Sequence, residues 1–530
     1  MRNPIIGARA KLALGLGAAA VFCAGSARAT TVEEVGDNGS EQMGRGGAWV
    51  ARASDPLAAF YNPAGLAGQD TRVTLQANVN IMKTCFTRLK ATNDTTQGDG
   101  TAPGHNYPQV CNGGTPFPDP ALAMTYRLTP RVGLGFAVVA PSASGQSTWP
   151  DSNSVTSPQS PQRYLLTSAN TVLLTPTLAV GAEVVDRLRL GIGLIWGFST
   201  VDFSNYAIVA NENNQAAGLG GAGNDVKAEL KAKDLFIPGV VGGVLWSPTD
   251  QIDIAGWYKF ISNIKASGDV ITTTGSGKGL RVGDTMDSDC GVKNTKPGTC
   301  SPNSVSVTVP IPMEAKVGFR FHQPRAGADM VHRRDPMSQD IFDIEADLTW
   351  AHDSQFQAIN IAIPNGIPTP GINGSFLPPD ASVPHNYKDV VGARFGGDYN
   401  ILPDQLAVRA GAYFETAAQS SQYQNIDFAG QQRVGIAAGG TYRIHFGDET
   451  QKKALEFSLG IGHTFIATTS NTNASGPGLS GLAGTLCLTG TPTNGVCPNG
   501  TPTYKTAWPV NLGTITNAFT QINVGATYRF

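Results

Sequence analysis

Beyond its first 29 residues the sequence has no apolar run of about 18 residues, the least that crosses a bilayer as a helix. If the chain enters a membrane it must do so as a closed β-barrel, because unpaired backbone groups are prohibitively costly in hydrocarbon. Basic excess is missing as well. Residues 1–29 carry Arg2, Arg9 and Lys11, then an apolar Gly/Ala-rich run from Leu12 to Gly25, and finish in Ala27-Arg28-Ala29. That order predicts a secretory signal peptide cut after Ala29. Phe22 is too bulky before Cys23 for a lipoprotein signal. Without the four basic residues of this segment, 34 basic side chains face 40 acidic ones, a net charge of −6. Nucleic acid is therefore not an expected partner.

Catalytic and metal signatures are also missing. The seven histidines (105, 322, 332, 352, 385, 445 and 463) are scattered, and no GxSxG occurs. Arg443 and His445 fall on one face of one strand and read as a polar pair in a lumen, and Glu33-Glu34 as a solvated acidic pair. No catalytic residue, metal or cofactor is expected. Past the signal, Cys85, Cys111, Cys290, Cys300, Cys487 and Cys497 form three close pairs, each within one Gly/Pro/Thr-rich stretch. None has CxxC spacing and no histidine cluster accompanies them, which disfavours zinc. Disulfides 85–111, 290–300 and 487–497 are the simplest set and suit an oxidising periplasm or cell surface.

What the chain does have is alternation. In its last strand Ile522, Val524, Ala526, Tyr528 and Phe530 share one face, and Gln521, Asn523, Gly525, Thr527 and Arg529 the other. The aromatics Tyr528 and Phe530 suit a membrane interface and an insertion signal read by the barrel-assembly machinery. Leu190, Ile192, Leu194 and Trp196 alternate with Arg189, Gly191, Gly193 and Gly197 in the same way, and Val434, Ile436, Tyr442 and Ile444 with Arg433, Gly435, Thr441 and Arg443. Arginine repeatedly sharing a face with glycine suggests a pore-like interior.

Strands are predicted near 71–84, 120–129, 131–140, 165–185, 187–204, 235–247, 251–266, 304–322, 339–355, 387–401, 405–415, 432–446, 454–468 and 519–530. The count is 14, an even number, as a single-chain bacterial barrel requires. Connections alternate short and long, the topology of short periplasmic turns and long external loops. One link breaks the rule: 322–338 is long on the periplasmic side and reads as a solvated insertion, with an interaction role as the minor alternative. The expected fold is all-β, a 14-stranded antiparallel transmembrane barrel over 71–530, in the outer membrane of a Gram-negative cell.

Residues 30–70 do not alternate. About 40 residues with so few large apolar groups hold no core of their own and must lie inside something larger. Asn62-Pro63-Ala64-Gly65-Leu66 reads as a helix start, Asn62 as cap and Pro63 at the first position. Together with Gly44-Arg45-Gly46-Gly47-Ala48, Ala53-Ser54-Asp55-Pro56 and Ala59-Phe60-Tyr61, this stretch closely resembles the N-terminal hatch of the FadL/TodX family of outer-membrane transporters. Residues 171–194 resemble that family's central hairpin.

The resemblance implies a hatch that plugs the lumen and a hydrophobic substrate such as a long-chain fatty acid. It also implies exit through a gap in the wall at the third strand, into outer-membrane lipid. Phe60, Tyr61, Asn62, Pro63, Ala64 and Leu66 become the candidate gate, and Pro141 the candidate break of the third strand. Pro141 reads equally well as an ordinary strand-end proline. The protein is expected to act as a monomer. A general diffusion porin and a surface-adhesion barrel are the alternatives, and an outer-membrane enzyme a third.

Overall fold

A computed structural model describes residues 38–92, 94, 100–113, 116–140, 147–152, 159–207, 225–273, 279–281, 305–328, 335–362, 367–368, 376–377, 380–428, 430–446, 453–475 and 509–530. The predicted signal peptide, Glu33-Glu34, Pro141, Cys290, Cys300, Cys487 and Cys497 lie outside the described residues.

Fourteen strands form the wall. They are β1 (Arg72–Arg88), β2 (Phe117–Thr129), β3 (Val132–Val139), β4 (Ser168–Val185), β5 (Leu188–Ala207), β6 (Val226–Trp246) and β7 (Ile252–Ile261). The second half holds β8 (Glu314–Pro324), β9 (Asp340–Ala351), β10 (Val390–Leu402), β11 (Leu406–Glu415), β12 (Arg433–Phe446), β13 (Lys453–Asn471) and β14 (Gly513–Arg529). Each pairs antiparallel with the next. The sheet closes where β14 returns to β1, with Arg72 opposite Arg529 and Arg88 opposite Gly513. No helix among the described residues is long and apolar enough to cross a membrane.

The alternation is inside out by the standard of a water-soluble sheet. On β5 Ile192, Leu194 and Trp196 are 58%, 65% and 61% exposed, while Arg189 is 2% exposed. β12 and β14 repeat the pattern, with Val434, Ile436, Val524 and Phe530 outward and Arg433, Arg443, Asn523 and Arg529 buried. Apolar side chains on the outer face belong in lipid, and the buried polar ones must then find partners within the lumen.

Two strand predictions need correction. The stretches 251–266 and 304–322 are each interrupted, β7 ending at Ile261 and β8 beginning only at Glu314. Pro310 and Pro312 have no N–H to give to a ladder, which explains the second break. Beyond it Val305–Val309 pairs with Ile264–Thr273 and with Ala358–Ala362. The sheet thus continues outward above β6, whose Lys227–Lys233 pairs with Ser267–Thr273. In that outer part Cys85 and Cys111 are opposite one another and joined by a disulfide.

One apolar cluster joins this extension to the hatch. It includes Val305, Val307, Val309, Ile264, Ile261 and Val241 together with Trp257, Phe60 and Tyr61. Of the 322–338 link, expected as a solvated insertion, residues 329–334 lie outside the described residues; Ala326 and Gly327 are exposed as expected, but Asp335 and Met337 are buried, 2% and 5% exposed.

Candidate functional site

The segment from Asn38 to Asp70 packs within the ring of strands as two short helices, α1 (Ser40–Gly44) and α2 (Ala58–Tyr61), and a single 3-10 turn, Pro63–Leu66. Nearly all of it is buried. Asn62 caps the turn as its sequence predicts. Its Oδ1 accepts the Ala64 N–H at 3.2 Å, and its Nδ2 donates to the Val50 carbonyl at 2.7 Å. One amide therefore ties two parts of the hatch together, and Pro63 at the first position fixes φ.

The wall receives this turn through glycines. A Cβ added at Gly181 of β4 would overlap the Pro63 carbonyl, one at Gly191 of β5 the Ala64 nitrogen, and one at Gly243 of β6 the Asn62 amide. On β3 a Cβ at Gly133 would overlap the Leu66 carbonyl. Four adjacent strands thus give up their inward side chains where the Asn62–Leu66 turn sits. Gly191, one of the glycines that suggest a pore in the sequence, is thus part of the seat of a plug.

The opposite side of the hatch is held by charge. Arg45 reaches Asp343 at 2.6 Å, Asp398 at 2.7 Å and Glu345 at 3.0 Å, on β9 and β10. Arg52 pairs with the same Asp343 and Asp398, and the Glu345 carboxylate accepts the Ala51 N–H at 2.6 Å. Asp347 accepts the N–H of Trp49 at 2.9 Å. Buried charges are tolerated only when paired and hydrogen-bonded, and Arg45, Arg52, Asp343, Asp398 and Glu345 are both. The partners of Arg45 lie 298 to 353 residues away in sequence, so nothing local could have announced them. The one sequence signal is Arg45 itself, a cation set among Gly44, Gly46 and Gly47.

Between seat and clamp, the outer side of the hatch faces the inner end of the apolar cluster. The Lys259 ammonium lies 5.1 Å from the Phe60 ring centre and pairs with Glu314 at 2.8 Å. Lys316 lies 5.6 Å from the Tyr61 ring and 5.0 Å from Trp257. The Trp257 indole donates to the Phe60 carbonyl at 3.1 Å. Two cations and three aromatic rings therefore meet where the hatch joins the apolar cluster.

The third strand ends close by. Its last strand residue, Val139, pairs with Thr175 of β4, and further out β4 pairs with Ser147-Thr148 instead. The Ala140 carbonyl accepts from the Asn38 side chain, and the Asn38 N–H donates to the Tyr61 hydroxyl at 2.8 Å. A hatch ring is thus joined through one asparagine to the end of β3.

Of the candidate gate residues, Phe60, Tyr61, Asn62, Pro63, Ala64 and Leu66 are buried together here. Tyr528 and Phe530 are on the outer face of β14, in edge contact. Arg443 is buried against Glu456 and also meets Asp404, and His445, exposed at the rim, reaches the same Asp404 at 3.1 Å, so the two share one carboxylate but only Arg443 lies in the lumen. A Ser–His–Asp grouping occurs outside the wall, yet Ser354 and Asp389 both approach the same His352 nitrogen, Nδ1. An imidazole cannot relay a proton between two partners on one nitrogen.

Residues 19–453 match the family of outer membrane protein transport proteins described as OMPP1/FadL/TodX. No curated protein matches the chain by sequence. Among solved structures it is similar to a Pseudomonas aeruginosa FadL homologue, with TM-score 0.65 and 19% identity over 96% of this chain and 100% of the other. It is also similar to the Ralstonia pickettii toluene transporter TbuX, with TM-score 0.56 and 14% identity over 94% of this chain and 99% of the other. The P. putida toluene transporter TodX gives TM-score 0.57 and 12% identity, again over 94% and 99%.

Proposed function

Because the chain belongs to the OMPP1/FadL/TodX family of outer membrane transport proteins, and so carries hydrophobic compounds across the outer membrane, we propose that its substrate is a long-chain fatty acid released sideways into the bilayer. The apolar cluster supports a hydrophobic tail. An apolar chain gains roughly 0.8 kcal/mol per CH₂ on leaving water, so passage needs no energy source. Lys259 and Lys316 at the inner end suit an anionic head, which a toluene-like hydrocarbon lacks.

Phe60, Tyr61, Asn62, Pro63, Ala64 and Leu66 act as the gate in this reading. The observation that carries it is the place of Tyr61. Its ring faces Lys316 beside the apolar cluster, and its hydroxyl holds Asn38, which in turn holds the end of β3 at Ala140. A head group that displaces the Tyr61 ring would loosen Asn38 and free the strand end, where the β3–β4 ladder stops at Val139. The clamp at Arg45 and Arg52 keeps the rest of the hatch in place, so movement is confined to the glycine-seated side.

The test is uptake of a radiolabelled long-chain fatty acid by cells expressing the Tyr61→Phe or the Asn62→Ala/Pro63→Ala variant. Both keep a heat-resistant barrel, since the wall strands do not depend on the turn, and both change the uptake rate. Normal uptake in both variants would reduce the turn to a structural feature.

A further inference from the structure

The link between β8 and β9 is described at its two ends, 325–328 and 335–339. Its helical turn, α3 (Pro336–Gln339), has Pro336 at its first position. The Arg325 N–H donates to the Gln339 carbonyl at 2.7 Å, and the Asp335 N–H to Gln339 Oε1 at 2.8 Å. These bonds clip the two ends together and turn α3 inward, under the barrel.

The surroundings of α3 and of Asp335 before it are drawn from several strands. On one side Asn400 of β10 donates to the Pro336 carbonyl at 2.9 Å, and the Asp404 N–H to the Met337 carbonyl at 3.1 Å. On the other, Pro336 and Gln339 form the far wall of a small polar pocket whose near wall is Arg189 of β5, Ser247, and Asp253 of β7. Asp335 reaches furthest. Both its oxygens take the Arg443 fork of β12, at 2.9 and 3.0 Å, and Arg529 of β14 approaches at 2.8 Å. A turn bonded to β10, anchored through Asp335 to β12 and β14, and facing β5 and β7 across a pocket sits in the mouth of the barrel and not beside it.

We propose that this segment is a periplasmic clasp, in which the Pro336–Gln339 turn seats in the inner mouth, pinned by Asp335 on Arg443 and Arg529, and seals that end beneath the hatch. The clasp can release without stranding its cations. Arg443 keeps Glu456 and Asp404, and Arg529 keeps Glu456 and Asp70. Asp70 also closes the hatch segment and pairs with Arg127 at 2.8 Å, so hatch and clasp share the Arg529 network. With the base shut in this way, a solute that slips past the hatch has no axial path to the periplasm.

The experiment uses the full chain carrying Ser247→Cys, which places one thiol in the pocket behind α3. A charged, membrane-impermeant thiol reagent is added from the periplasmic side, and the protein with native Ser247 gives the background. Adding Asp335→Ala speeds modification by about tenfold or more, because the turn loses its anchor and samples open states. Met337→Asp, which puts a charge on the buried face but leaves Asp335 and its arginines intact, does the same. Equal labelling rates with and without either change, in a barrel that still resists heat, would overturn the clasp. Fatty-acid uptake is measured alongside and stays normal, so a failed clasp and a failed substrate reading give different results.

Discussion

Replacing Arg45 by alanine removes the cation that ties the hatch to Asp343, Asp398 and Glu345, all within 1% of full burial. Taking one partner from a buried ion pair costs about 3–5 kcal/mol, because the other is left charged and dry. Arg52 and Arg320 still face Asp343, and Arg52 and Arg409 still face Asp398, so the lower figure applies. At roughly 1.4 kcal/mol per factor of ten, about 3 kcal/mol makes local opening of this part of the hatch on the order of 100-fold more frequent. The assay is amide hydrogen exchange on peptides covering 42–56, in the full-length protein in detergent. Exchange there accelerates by that order, while β4 and β5 peptides and the heat-resistant barrel band are unchanged. Arg45→Lys restores part of the protection, since an ammonium keeps the charge but not the guanidinium fork. Hatch exchange within about threefold of the native rate would refute the clamp as the main anchor.

Three further outcomes are expected. Non-reducing peptide mapping gives the 85–111 disulfide, as the structure places it, and also 290–300 and 487–497; a cross-pairing such as 85–290 or free thiols would contradict the simple set. Gly191→Val drives a side chain into the Pro63-Ala64 backbone, an overpacking cost of about 1–3 kcal/mol, and speeds exchange over 60–67; Ile192→Ala, on the lipid face next to it, does not. Finally, burial opposes the Asp335 charge, but Arg443, Arg529 and Arg72 hold its carboxyl well below the ordinary carboxylate range. A lowered carboxylate contributes stability above its unfolded pKa, near 3.8, and loses it only as pH falls through the folded value. Labelling at Ser247→Cys, corrected for the thiol's own ionisation, is therefore flat from about pH 8 to pH 5, and an opening near neutral pH would show that Asp335 is not the pin.

The sequence was most legible where lipid enforces a period of two. The 432–446 prediction matches β12 to within a residue, because its outward Val434, Ile436 and Ile444 meet hydrocarbon and its inward Arg433 and Arg443 cannot. Above the membrane that pressure ends. The outer part of β6, from Val226, and residues 267–273 pair with each other, yet both stretches read as loop. The cap at Asn62 was readable because an asparagine, a proline and the bond they make are adjacent. Its seat was not, since Gly133, Gly181, Gly191 and Gly243 mean a plug only once the turn is known to press on them. Long-range charge was least visible of all: Arg45 and Asp343, or Asp335 and Arg529, come together only when the barrel closes.

The most direct test is uptake by a Gram-negative strain lacking any transporter of this kind, with and without the full-length protein, for a long-chain fatty acid and for a small sugar. A plugged barrel with an apolar lane raises the first rate well above background and leaves the second where it was. A matching rise for the sugar, or no rise for the fatty acid, would contradict it.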